Sequence, residues 1–307
     1  MVRIQHGSLL LVVQGLRGLV RGPGVGNQRS GICAAGFRQP RRHTIAAMWN
    51  DRWPGGFLVL ALAVIVAASG CGPARHSIAP SPEPTIADRV AQYGPPARAR
   101  LLPYFAAAGV PYPPARFLLL GLKQERELQL YAAGRGQAFA FIRSFAILGA
   151  SGDIGPKLRE GDRQVPEGVY RIVYLNPNSI AHLSLALSYP NPFDRIHAEE
   201  DGRENATLGG DIMIHGGADS VGCLAVGDEA AEDLFVLAAD ADWQHAVVMV
   251  SPVDFRRAAL PVDYRPTTDW VNPLYGWLRT ELRLLPLPPE RSEVKSFGND
   301  PKPIREH

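Results

Sequence analysis

From residue 113 onward the apolar positions fall into short runs set apart by turn residues. Phe117–Leu122 is almost wholly apolar, Glu127–Ala132 alternates, and Gln137–Leu148 passes from alternation into an apolar run. Val169–Tyr174, His182–Leu187, Ile212–Ile214 and Ala246–Val250 follow. Runs of this length and period predict strands. Turn-rich loops, notably Gly149–Gly168 and Pro190–Gly210, separate them. There is no βαβ alternation and no internal repeat. The pattern therefore predicts one mainly β domain of packed sheets with some α. Helical spacing shows in three places. Residues 86–109 predict one or two helices, broken at Gly94-Pro95-Pro96 and ended by Pro111, Pro113 and Pro114. A second helix begins at Gly227-Asp228, with Asp228 as its N-cap and Leu234, Leu237 and Ala238 as its apolar stripe. A third lies between Asp269 and Leu285, and the tail from Arg291 is polar.

The N-terminal part reads differently. Residues 1–47 carry seven Arg and neither Asp nor Glu. Phe57–Ser69 is 13 uncharged residues, short of the roughly 20 that span a bilayer. It suits a signal-peptide h-region, and Ala68-Ser69-Gly70-Cys71 is similar to a bacterial lipobox. Met48 is then the expected start, with 48–70 a lipoprotein signal peptide, 1–47 a non-mature extension, and Cys71 lipidated. Pro73, Pro80, Pro82 and Pro84 make 71–85 a stiff spacer. The expected location is the periplasm-facing envelope, anchored to a membrane through lipid. Gly72, where inner-membrane retention often uses Asp, favours the outer membrane.

Trimming changes the charge. The chain has 32 basic and 30 acidic residues, but eight Arg and one Asp lie in 1–70, leaving 24 and 29 and a net charge of −5. Nothing in that balance suggests a nucleic-acid partner.

Of three cysteines, Cys33 falls in the extension and Cys71 at the lipobox, which leaves Cys223 without a disulfide partner. It ends the run Asp211-Ile-Met-Ile-His-Gly-Gly-Ala-Asp-Ser-Val-Gly-Cys223. A histidine eight residues earlier can accept the thiol proton. Gly216, Gly217 and Gly222 permit the tight return that brings the two together. The N–H groups of Gly222 and Cys223 are candidate oxyanion donors. The carbonyl of Gly216 or the side chain of Ser220 is a candidate partner for the other imidazole nitrogen. The alternatives are an inert buried thiol and a zinc site with Asp219, for which the spacing is wrong and a fourth ligand lacking. No metal and no cofactor is expected.

Three stretches together resemble the L,D-transpeptidase (YkuD-type) family, in its YafK-like branch. They are Ala150–Tyr170, then Asn176–Ser179 with Leu183–Asn191 and Phe193–Arg195, then Ile212–Gly217 with Ser220–Cys223. Val221 stands where the widespread form has His, Ala225 where it often has Arg or Asn, and Ala186 where Asn is usual. The resemblance implies a β-sandwich-like catalytic domain over 113–256. A helical lead-in at 86–112 precedes it, and a C-terminal helical segment and tail at 257–307 follow. It implies Cys223 as nucleophile and His215 as general base. It puts Pro166-Glu167-Gly168 on a strand-initiating turn near the acyl-donor site. It also implies cysteine-dependent acyl transfer on peptidoglycan stem peptides, for cross-linking or for attachment of a wall-linked lipoprotein. Lys157, Arg163 and Arg195 are then candidate contacts to stem carboxylates. Two competing readings stay open: an amidase or L,D-peptidase with water as acceptor, and a non-catalytic wall-binding lipoprotein.

Overall fold

A computed structural model describes residues 83–289. Cys71, the 48–70 signal peptide, the 1–47 extension, most of the 71–85 spacer and the polar tail from Arg291 lie outside the described residues.

The chain opens with α1, Ile86–Ala107. Thr85 caps it through a capping box with Asp88, satisfying two otherwise orphaned donors at its start. The expected break at Gly94-Pro95-Pro96 does not occur: Pro95, Pro96 and Pro103 all lie inside one continuous helix. Tertiary ties hold it. Ala97, Leu101 and Phe105 are buried in the main core, Arg98 makes two contacts with Asp240, and Arg100 reaches Asp233 at 2.7 Å. Packing of an amphipathic face outweighs local propensity here.

Eight strands form one connected sheet in the order β3-β2-β1-β8-β4-β5-β6-β7. They are β1 Arg116–Leu122, β2 Glu127–Ala133, β3 Ala140–Ala146, β4 Gly168–Ser179, β5 His182–Leu187, β6 Met213–His215, β7 Leu224–Ala225 and β8 Val247–Ser251. The mainly β class with added helices is as the sequence predicts. Strand β4 joins the two halves: residues 168–171 pair with β8, and the rest pairs with β5. The far edges meet at one corner, where Leu148 and Gly149 bond to the Ala225 backbone.

β1 is apolar because it is covered on both sides. Phe117 and Leu119 belong to the core under α1 and α3 (Asp228–Asp240), whereas Leu118, Leu120 and Leu122 belong to a second core under α4 (Val271–Leu282). Each such buried side chain contributes about 1.5–3 kcal/mol relative to exposure. Helix α2, Pro192–Glu200, occupies a stretch that the sequence reading assigned to loop. Its capping box, Asn191 with Asp194, is too short a signal to separate from a turn. The N-cap of α3 is Gly227, with φ +81°, rather than Asp228. Asp228 is engaged elsewhere, as the site makes clear.

Candidate active site

Three strands mount the site. The β5–β6 register sets Ser184 opposite His215 and Leu185 opposite Ile214. The parallel β6–β7 register pairs Ile214 with Leu224 and His215 with Ala225, so Cys223 lies one step back, beside Met213. Side chains alternate along a strand. Leu185, Ile214 and Leu224 therefore point into the core, while Met213, His215 and Cys223 share the other face.

The return from His215 to Cys223 is tied down at each end. Gly216 sits where a Cβ would stand 2.5 Å from Asp228 Oδ1 and 2.8 Å from the Ala181 carbonyl oxygen. Gly217, at φ +69°, donates its N–H to Asp228 Oδ1 at 2.8 Å. Gly222, at φ +86°, turns the chain into β7. Ser220 brackets the nucleophile candidate: its hydroxyl accepts from Cys223 N at 3.0 Å and donates to Cys223 O at 2.6 Å. From the opposite side Gly149 lies so close to Ala218 that no Cβ would fit.

The His215 ring is buried, and its Nδ1 lies 2.6 Å from the Gly216 carbonyl oxygen. A carbonyl only accepts, so Nδ1 carries the proton and donates. A neutral ring then presents its lone pair at Nε2, which has no hydrogen-bond partner among the described residues. Of the two acceptors that the sequence left open, Gly216 fills the role and Ser220 does not. The Cys223 sulfur is half-buried, receives the Met213 N–H at 3.4 Å and lies 3.5 Å from the Asp211 carbonyl oxygen. Burial pushes its pKa up, with Asp211 adding to the rise, while the Met213 N–H and Lys157 oppose it. No hydrogen bond joins it to His215 among the described residues.

Residues 117–253 match the family model of the L,D-transpeptidase catalytic domain, YkuD, and this segment carries every residue of the arrangement just described. Over this segment the chain is similar to YkuD-type L,D-transpeptidase catalytic domains. A 115-residue stretch is 35% identical to "Putative L,D-transpeptidase YafK" of Escherichia coli, strain K12, covering 37% of this chain and 43% of that protein. The same figures hold for the O157:H7 counterpart. The chain thus spans less than half the length of the curated relatives it matches. Among solved structures, the helical cell shape determining protein Pgp2 from Campylobacter jejuni is similar at 21% identity and TM-score 0.35, over 51% of this chain and 56% of that one. L,D-transpeptidase 1 of Mycobacterium tuberculosis is similar at 12% identity and TM-score 0.26, over 44% and 62%.

Within the matched segment the remaining candidates are scattered in role. Lys157 is buried, and its charge is taken up by Asp162 at 2.7 Å and by the Arg159 carbonyl oxygen at 2.8 Å. It shapes its own loop, although its field still reaches Cys223. Arg163, at φ +58°, and Arg195, on α2, are exposed and form no ion pair among the described residues. Glu167 is buried, with one carboxylate oxygen on Lys123 Nζ and the Gly155 N–H and the other on the Tyr275 hydroxyl. This pins the turn that begins β4.

Both oxyanion-donor candidates are already engaged. The Cys223 N–H is held by Ser220, and the Gly222 N–H donates to Ser151 Oγ at 2.7 Å. Sequence reasoning missed Ser151, Asp228 and Gly149. Ser151 lies 71 positions from Gly222, and Asp228 looked like a helix cap. Among the described residues no group of three His, Cys, Asp or Glu side chains is placed to hold a metal ion. No helix of the described residues is long and apolar enough to cross a membrane.

Proposed function

We propose that this chain transfers an acyl group from a peptidoglycan stem peptide through a thioester on Cys223. The observation that carries the reading is the shared face of β6 and β7. Cys223 and the lone pair of His215 Nε2 lie on that face, and the ring is oriented by the Gly216 carbonyl. Binding of an L,D peptide bond brings its carbonyl to the sulfur. His215 takes the thiol proton as the C–S bond forms, and gives it to the departing D-amino acid as the C–N bond breaks. An acceptor amine then attacks the thioester; the new C–N bond forms, the C–S bond breaks, and the amine's surplus proton returns through His215 to the thiol. The acceptor is a second stem peptide or the lysine of a wall-linked protein. The envelope location and the lipid anchor at Cys71 belong to the same proposal and rest on the sequence pattern alone.

The deciding experiment incubates the full-length chain with tetrapeptide muropeptides and a soluble amine acceptor, and reads products by mass spectrometry. A new amide that Cys223→Ala does not form supports acyl transfer. Hydrolysed stems alone identify a peptidase using the same site. An unchanged substrate with an unmodified Cys223 leaves a wall-binding protein. Cys223→Ala removes little volume, so its stability cost is expected within about 1 kcal/mol.

A further inference from the structure

The resting structure leaves the N–H groups beside the nucleophile with no capacity to spare. The Ser220 hydroxyl lies within Cys223's own turn and binds its residue at two points, so it belongs to the frame. Ser151 is different. It comes from the loop after β3, bonds to Gly222 through a single contact of 2.7 Å, and lines a groove of about 460 Å³ with Lys123, Gly152, Asp153, Pro261 and Tyr264. The base of this loop is fixed: Gly149 exchanges backbone hydrogen bonds with Ala225, two residues after Cys223. The Lys123 ammonium is fixed as well, by Glu167 and by the Gly155 and Val165 carbonyl oxygens. What remains free is the Ser151 side chain, which has open groove on one side and can change rotamer without moving the backbone.

We propose that Ser151 is a positioning residue that holds the Gly222 N–H in the resting enzyme and releases it to the oxyanion when Cys223 is acylated. The inference rests on the acyl-transfer reading. A hydroxyl oxygen placed 2.7 Å from this donor occupies a place that a developing alkoxide would take. In the resting state it caps that donor, and its departure exposes an amide whose plane the Gly222 turn already fixes. A charged oxygen is the stronger acceptor and displaces the neutral one. The exchange costs the reaction one neutral hydrogen bond, and the groove gives the displaced hydroxyl somewhere to turn.

A small peptidyl aldehyde is a direct probe on the full-length chain. The thiol adds across the C=O bond: a C–S bond forms and the thiol proton passes to the oxygen, giving a hemithioacetal that mimics the tetrahedral intermediate. A crystal structure of this adduct is expected to show Gly222 N bonded to the hemithioacetal oxygen and parted from Ser151 Oγ. An adduct with the Ser151–Gly222 bond intact overturns the inference and leaves the acyl-transfer reading standing. A Cys223 that takes no aldehyde removes both. Kinetics give the second readout, with a carbapenem as acylating agent. Ser151→Ala is expected to be acylated about five-fold faster than wild type, the worth of one neutral hydrogen bond no longer broken. Ser151→Thr, which keeps the acceptor, is expected to return to the slower rate. Acylation of Ser151→Ala at or below the wild-type rate, with wild-type thermal stability, overturns the inference.

Discussion

Replacing Gly216 with Ala tests how tightly the His215 mount is built. The new methyl would stand 2.5 Å from Asp228 Oδ1, 2.8 Å from the Ala181 carbonyl oxygen and 2.9 Å from His182 Cβ. Two of these neighbours cannot swing aside: Ala181 O is backbone, and His182 is held by Glu232 at 3.0 Å. Asp228 can move only by giving up the Gly217 N–H. Overpacking of this kind costs about 1–3 kcal/mol, and the lost hydrogen bond adds about 1–2. A total of about 2–5 kcal/mol lowers the melting temperature by roughly 5–15 °C for a domain of this size. Activity is expected to fall further than stability. The Gly216 carbonyl orients the imidazole, and a displacement near 1 Å at such a group costs about 100-fold. Acylation of Cys223 by a carbapenem, followed by stopped flow beside a thermal melt, reads both quantities. Adding Asp228→Ala relieves one of the three contacts, so the double variant is expected to be more stable than the two single effects sum to. A Gly216→Ala protein with wild-type melting temperature and acylation rate would refute the account of this turn.

Three further outcomes follow from other parts of the chain. Burial raises the Asp194 pKa to about 7, so the folded state holds its proton more firmly than the unfolded one. Its contribution is full below the unfolded value near 4 and is lost as pH rises through about 7; between pH 5 and 8 wild type is expected to lose about 2–3 kcal/mol relative to Asp194→Asn in urea titrations, and parallel curves would contradict this. Since burial raises the Cys223 pKa, iodoacetamide labelling of the substrate-free protein is expected to have its midpoint above the free-thiol value of about 8.5, and a midpoint well below it would mean that a thiolate–imidazolium pair already exists at rest. Cys71→Ser is expected to abolish lipid attachment, and an unchanged mass and detergent partitioning would remove the anchor.

Most of the strands were legible because each needs only a local pattern. His182–Leu187 is observed with the limits that its alternation gives, and β1 extends the predicted run by a single residue. The errors share one cause: the deciding partner is distant in sequence. α1 runs through three prolines because Asp233 and Asp240, more than 130 positions away, hold its arginines. Strand β7 is two residues long and exists by pairing with β6 and by bonding to Gly149. Asp228 carried every mark of a helix cap, yet Gly217 claims its carboxylate. The chemistry followed the same rule. His215 and Cys223 could be read from the seven intervening residues, rich in glycine, whereas Ser151 could not.

The upward push that burial gives the Cys223 thiol bears on how such a site works. A thiolate needs a positive neighbour or aimed donors in order to form in a half-buried place. At rest His215 donates to Gly216, no hydrogen bond links it to the sulfur among the described residues, and Ser220 and Ser151 hold the N–H groups that would otherwise face an anion. Burial of the sulfur therefore disfavours the thiolate, the form that oxidants attack most readily. Under the proposed acyl transfer, a bound acyl donor would change each term at once. It excludes water from the face shared by His215 and Cys223, which strengthens the attraction between imidazolium and thiolate. It also supplies the developing oxygen that competes with Ser151 for the Gly222 N–H. Reactivity in this reading belongs to the complex rather than to the free protein. A high resting thiol pKa and an active nucleophile are then compatible properties of the same residue.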